Sequence, residues 1–207
     1  MTRRRVLGIY RLFFAALTLA AIGTQLALGL QRRSFNVLNF FSYFTIESNV
    51  FAALVFLVTG AAALRGLRSE PFGALRGAAT LYMTLTGIIY FLLLRGLEAS
   101  LQTPTPWVNT VLHYLMPLAA LTDWLVAPPE RSLSFRQVWV WLLYPAVYVL
   151  YTLARGAALA WYPYPFLDPA RQGYGSVVLI CLVIAAAVTG LAALLAARTR
   201  LGRSRSV

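Results

Sequence analysis

The chain has a single histidine, His113, set in the apolar segment WVNTVLHYLMPLAALTDWL with Asn109 one helical turn before it and Pro117 one turn after. A second apolar segment opens on SYFTIESN, where Ser42, Thr45, Glu47, Ser48 and Asn49 fall within two turns. Between them these stretches supply a hydroxyl and a base. A threonine hydroxyl is a weak nucleophile until a base takes its proton, and imidazole, with an unperturbed pKa of about 6.5, is the side chain best suited to that at neutral pH. The chemistry open to the pair is acyl transfer, with Thr45 as nucleophile, His113 as base, and Asn49 or Asn109 donating to the oxyanion or holding the imidazole. The histidine carries most of this signal. A threonine in an apolar helix ordinarily bonds its own preceding carbonyl or a neighbouring helix, whereas an ionisable ring in hydrocarbon is expensive and marks function by default.

Other catalytic signatures are missing from the sequence: it has no GxSxG elbow, no HExxH and no Walker loop. With one histidine and one cysteine, Cys181, a zinc cluster has no ligand set, and no metal or cofactor is expected. Cys181 lies within the last apolar run and reads as a small packed residue.

The elements that must position Thr45 and His113 follow from composition. Of the 207 residues 60% are hydrophobic, and they come in runs of the length that crosses a bilayer, about 18 residues or more with few charges. In hydrocarbon each backbone polar group must be satisfied within its own segment, so the expectation is an all-α polytopic membrane protein. Six spans can be marked, at about 7–30, 43–64, 75–94, 108–126, 138–158 and 174–197. They use most of the chain and leave a single transmembrane domain without a fixed-period repeat. An N-terminal signal peptide is the rival reading of the first run, but the run is too long and five more follow.

The net charge of +12 would point to nucleic acid in a soluble protein; its placement points to the bilayer instead. Every basic residue is Arg, and they concentrate at alternate segment ends: Arg3, Arg4, Arg5 and Arg11, then Arg65, Arg68 and Arg76, then Arg131 and Arg136, then Arg198, Arg200, Arg203 and Arg205. By the positive-inside rule both termini face the cytoplasm. Arg used to the exclusion of Lys suggests a GC-rich bacterial genome and hence a bacterial cytoplasmic membrane. Oligomeric state stays open.

With this topology the second and fourth spans both enter from the outer face, which puts Thr45 about one turn and His113 about two turns below it, in the outer leaflet. A helix advances about 100° per residue, so Ser42, Thr45, Ser48, Asn49 and Ala52 share one side, and Asn109, His113, Pro117 and Ala120 form a matching stripe. Pro117 cannot bond the His113 carbonyl, so a bend is expected at the histidine. Tyr144, Tyr148, Tyr151, Thr152 and Arg155 recur at helical spacing on the fifth span, and Tyr148 and Arg155 are candidate contacts for a lipid carboxylate. The following WYPYPFLD, residues 161–168, reads either as an interfacial aromatic belt or as a cap over a cavity. Glu47 points about 200° away from Thr45 and either snorkels or orients His113. Asp123 lies about 15 Å along the helix from His113 and is expected to cap the inner end.

SYFTIESN, WVNTVLHYLMPLAALTDWL and the YPFLD loop, in this order and topology, resemble the androgen-induced-gene and androgen-dependent TFPI-regulating protein family over nearly the whole chain. The resemblance implies a membrane threonine hydrolase that cleaves fatty acid esters of hydroxy fatty acids, with the nucleophile on Thr45, the histidine on His113, the preceding asparagine on Asn109 and the loop motif on Tyr164 to Asp168. FTIESN is richer in polar residues than the animal pattern, and Arg155 stands without the nearby histidines of those proteins, which leaves the substrate open. The alternative is a non-enzymatic membrane protein binding or transporting a lipid or small solute, with His113 as a proton relay; a third possibility is a purely structural role for the polar stripes.

Overall fold

The computed structural model describes residues 2–67, 72–97, 105–129 and 131–201; Arg68, Arg203 and Arg205 of the charge pattern lie outside them. Every regular element among the described residues is helical. In chain order these are α1 (Arg3–Leu30), the short α2 (Val37–Phe41), α3 (Phe44–Leu64), α4 (Gly73–Ile89), α5 (Pro106–Thr110), α6 (Met116–Val126), α7 (Phe135–Leu159) and α8 (Pro169–Leu201). A π-helical turn, Tyr90–Leu94, ends α4; a second, Val111–Leu115, joins α5 to α6; and a 3-10 turn, Pro165–Leu167, precedes α8.

Five helices are long and apolar enough to cross a membrane: Arg3–Leu30, Phe44–Leu64, Gly73–Leu94, Phe135–Leu159 and Pro169–Arg200. The expected fourth span, 108–126, is not among them. It is in place as a helical stretch from Pro106 to Val126, but Asn109, His113, Asp123 and Pro117 dilute its apolar character, and these side chains are buried against other helices rather than offered to lipid. The expected last span starts at Tyr174, immediately after the non-helical Gly173 that breaks α8. The short α2 has no counterpart in the sequence reading, and Ser42 is its C-cap rather than a member of the α3 stripe.

α1 packs along α3, α3 on α4, and α4 on α6, so the polar face of the stretch from 106 to 126 is enclosed, while Leu118 and Leu125 stay on the outside. The outer surfaces carry large exposed apolar side chains, among them Leu118, Leu150, Leu182 and Leu194. Two prolines interrupt the backbone bonding of the helices that hold the site, and each leaves a carbonyl four residues earlier without its helical partner. Pro145 inside α7 cannot bond the Trp141 carbonyl, which accepts the Tyr82 hydroxyl at 3.0 Å. Pro117 frees the His113 carbonyl, which faces Gly87 of α4. A Cβ at Gly87 would come within 3.2 Å of the Pro117 ring and 3.5 Å of that carbonyl, so glycine is what lets α4 approach the histidine segment.

At the end of the bundle that holds the start of α1, a charge cluster ties three helices together. Arg11 Nε donates to Asp123 at 2.8 Å, and Arg76 donates to the other carboxylate oxygen at 2.6 Å. Arg76 also reaches the Ala127 carbonyl, Arg3 the Val126 carbonyl and Arg198 the Leu125 carbonyl. The orphan carbonyls at the end of α6 are thus covered by cations, as the helix dipole favours. Asp123 therefore works at this end of α6, as the sequence suggested, and takes no part in a triad with His113.

Candidate active site

Thr45 is the second residue of α3, and its neighbours explain why the hydroxyl sits where it does. The first amides of a helix have no partner within it, and Tyr43, at the N-cap, offers no side-chain acceptor. Two tyrosines from distant parts of the chain do the capping. Phe44 N–H donates to the Tyr148 hydroxyl at 3.2 Å, and Thr45 N–H donates to the Tyr164 hydroxyl at 3.2 Å. Tyr148 passes its own proton to the Ser42 carbonyl at 3.0 Å. α3 is thereby fixed at the depth where Thr45 Oγ1 lies 3.3 Å from His113 Nε2.

His113 sits within the π turn Val111–Leu115, so the expected break takes the form of a π turn immediately before Pro117 rather than a simple bend. Its Nδ1 lies 3.2 Å from the Asn109 carbonyl. A carbonyl only accepts, so Nδ1 carries a hydrogen, and in the neutral ring the Nε2 lone pair then faces Thr45, the arrangement a general base requires. Tyr90, in the other π turn, stacks on the imidazole with ring centroids 4.1 Å apart and planes inclined by 22°. Asn109 Nδ2 donates to the Tyr90 hydroxyl at 2.6 Å. Asn109 therefore holds the imidazole twice, through its carbonyl and through the ring stacked on it.

Asn49 has a different task from either of those proposed for it. Its amide donates to the Thr45 carbonyl at 2.8 Å and to the Leu112 carbonyl at 3.2 Å, pinning α3 to the histidine segment. Ser48 lies behind Thr45, 3.3 Å from its carbonyl and 3.1 Å from Thr86 Oγ1. The α7 stripe forms a ladder against α2 and the start of α3. Tyr144 donates to Glu47 at 2.7 Å, Tyr148 bonds the Ser42 carbonyl, Tyr151 pairs with the Ser42 hydroxyl at 2.8 Å, and Arg155 donates to Asn39 at 2.7 Å. Glu47 is thus held by Tyr144.

Beside Thr45 lies a cavity of about 60 Å³. Its polar side is Thr45, Thr86, Tyr148 and Tyr164; the remainder is apolar, with Leu85 and Ile89 from α4, Pro145 and Val149 from α7, and Cys181 and Ile184 from α8. Arg155 is outside this wall and lies over the Trp161 ring, 4.9 Å from its centroid. The 161–168 loop closes the cavity with Tyr164, Phe166 and Leu167. Of the two sequence readings for this loop, a cap over a cavity is the arrangement found. Tyr162 anchors it by lying directly on Gly156, where any Cβ would collide with the ring. Burial pushes the Tyr164 phenol above its ordinary pKa, which keeps it protonated at neutral pH.

Thr45 and His113 are brought together, with Asn109 beside the histidine and Asn49 and Ser48 behind the threonine. Sequence reasoning missed Tyr90 and Thr86, the bond from Tyr144 to Glu47 and the capping role of Tyr148; a lone tyrosine or threonine in an apolar run carries no local mark of such a contact. No protein-family model, curated protein or solved structure matches the chain, so what this site does has to be argued from its geometry.

Proposed function

We propose that the chain is a membrane esterase of the serine-hydrolase type that uses Thr45 as nucleophile and His113 as general base on fatty acyl esters. The observation that carries the proposal is the 3.3 Å contact between Thr45 Oγ1 and an imidazole nitrogen whose partner nitrogen is already committed to a carbonyl. That distance lies at the loose end of base-to-nucleophile contacts, as is usual before substrate compresses the site. In the proposed cycle His113 takes the Thr45 proton as Oγ1 bonds to the ester carbon. Collapse of the tetrahedral adduct breaks the bond to the leaving oxygen, which receives the proton from His113. Water, deprotonated by the same nitrogen, then attacks the acyl-threonine and releases the fatty acid, with the proton returned to Thr45.

The apolar cavity beside the nucleophile supports an acyl chain as its occupant. Fatty acid esters of hydroxy fatty acids are the substrate class suggested by the resemblance of SYFTIESN, WVNTVLHYLMPLAALTDWL and YPFLD to the threonine hydrolase family. In the proposed membrane arrangement the Pro106–Val126 stretch is a sixth span whose polar face is covered by its neighbours; both termini are cytoplasmic, and the site lies in the outer leaflet of a bacterial cytoplasmic membrane.

The test is intact mass of the purified protein after a fluorophosphonate probe, on wild type, Thr45→Ala and His113→Ala. One adduct is expected on wild type and none on either folded variant. A folded wild-type protein that takes no label would overturn the proposal in favour of a binding or transport role.

A further inference from the structure

An ester hydrolase needs a donor for the oxygen that becomes negative when the tetrahedral adduct forms. Of the two amides first in view for this, Asn49 uses both hydrogens on the Thr45 and Leu112 carbonyls, and Asn109 is turned to Tyr90 and does not line the cavity. The hydroxyl protons around the cavity are mostly spent in the same way. Thr86 donates to the Tyr82 carbonyl at 2.9 Å, Tyr148 to the Ser42 carbonyl, and Ser48 has the Thr45 carbonyl within reach. Tyr164 is the exception. Its oxygen accepts from Thr45 N–H, and no backbone carbonyl among the described residues takes its hydrogen; its neighbours are two hydroxyls, that of Thr45 at 3.4 Å and that of Tyr148, so its hydrogen turns between acceptors.

We infer that Tyr164 is a catalytic residue, and that its hydroxyl and the Thr45 backbone N–H together form the oxyanion hole. The inference rests on the acyl-transfer function proposed for Thr45 and His113. Before attack Tyr164 O–H points to Thr45 Oγ1, and Thr45 O–H to His113 Nε2. When Oγ1 bonds to the ester carbon, the carbonyl π pair moves onto the carbonyl oxygen, and that oxygen is held close to Oγ1 by the tetrahedral carbon. A short rotation turns the Tyr164 hydrogen onto it, and Thr45 N–H, at the positive end of a 21-residue helix, exchanges the phenol oxygen for the same oxyanion. No proton leaves Tyr164. The ring is rigidly placed for this, 5% exposed and packed edge-on against Tyr43 with centroids 5.6 Å apart.

Tyr164→Phe keeps the ring and removes the hydroxyl. The measurement is kcat and KM on a 4-nitrophenyl fatty acyl ester and on its thiono counterpart, in which sulfur replaces the carbonyl oxygen, together with fluorophosphonate labelling. A sulfur anion gains little from a hydrogen-bond donor. The variant is therefore expected to lose about 10²–10³-fold in kcat on the oxygen ester, with KM near wild type and a much smaller loss on the thiono ester. Equal losses on both esters would make Tyr164 a mere support for α3, and wild-type rates on the oxygen ester would remove any role in turnover; either result overturns the inference while leaving Thr45 labelling intact. A wild-type protein that neither labels nor turns over either ester overturns it together with the proposed function. Should Tyr164→Phe fold poorly, Tyr164 replaced by 3-fluorotyrosine retains the donor and is expected to keep the wild-type oxygen-to-sulfur rate ratio, and loss of that ratio counts against the role.

Discussion

The two ends of the bundle both bury polar side chains and use them in opposite ways. Around Asp123 the groups carry full charges, the contacts are short, 2.6 and 2.8 Å, and both carboxylate oxygens are taken by guanidinium groups. Around Thr45 the contacts between side chains are longer, 3.3 Å to His113 and 3.4 Å to Tyr164, and a cavity lies alongside. A paired charge in a low-dielectric interior is costly to separate, so the first cluster acts as a clamp. Loosely spaced neutral groups are cheap to rearrange, and a nucleophile has to be able to leave its partner. What decides between structure and chemistry here is how much of each group's bonding capacity is already used.

The contrast can be broken from either side. The largest change in activity is expected for Thr45→Ala, a loss of at least about 10⁴-fold in ester hydrolysis, with a stability change within about 1.5 kcal/mol because only long hydrogen bonds are lost. Asp123→Ala should do the reverse. It strands two buried guanidinium groups and costs about 3–5 kcal/mol, read as a lowered midpoint of thermal unfolding in detergent, while the fraction that stays folded hydrolyses ester at the wild-type rate. If Asp123→Ala abolished turnover in folded protein, the division of labour between the two ends would be wrong. A smaller effect is expected at the cavity wall. Cys181→Trp should lower kcat/KM for a sixteen-carbon ester by about 10-fold or more while sparing an acetyl ester, since overpacking shortens an apolar slot. The smallest is at Arg155, which lies outside the cavity wall. Arg155→Ala should shift the preference between free-acid and methyl-ester substrates by several-fold, less than about 10-fold, without changing kcat; an unchanged preference would remove a carboxylate-binding role for it.

Much of this was legible from apolar run length and charge placement. The expected spans at 43–64 and 138–158 agree with Phe44–Leu64 and Phe135–Leu159 to within three residues, because composition alone decides where a helix must hide its backbone. Thr45 and His113 could be paired because each lies within about two turns of the start of its apolar run, which needs only a count of residues. The rest depended on direction. Whether Asn49 turns towards an oxyanion or towards two carbonyls, or whether Tyr148 meets a lipid or the first amide of α3, is decided by rotamers and by the angle at which helices cross. The π turns at Tyr90–Leu94 and Val111–Leu115 are a further local choice of backbone, although the second leaves the stripe of Asn109, His113, Pro117 and Ala120 buried on both sides of it. Pro117 gave notice of one; Tyr90 gave none of the other.

The borrowed caps on α3 also set an order of events. Helix α3 is made early in synthesis, but the hydroxyls that cover its first amides come from Tyr148 and Tyr164, more than a hundred residues later. A chain still emerging from the ribosome thus carries Thr45, the proposed nucleophile, on an unfinished helix end, with no roof over the cavity and without the Tyr164 hydroxyl. The last third of the polypeptide works as a latch that arms the first. Under the function proposed above, a half-inserted protein would be kept from attacking the lipid esters of the membrane that is receiving it.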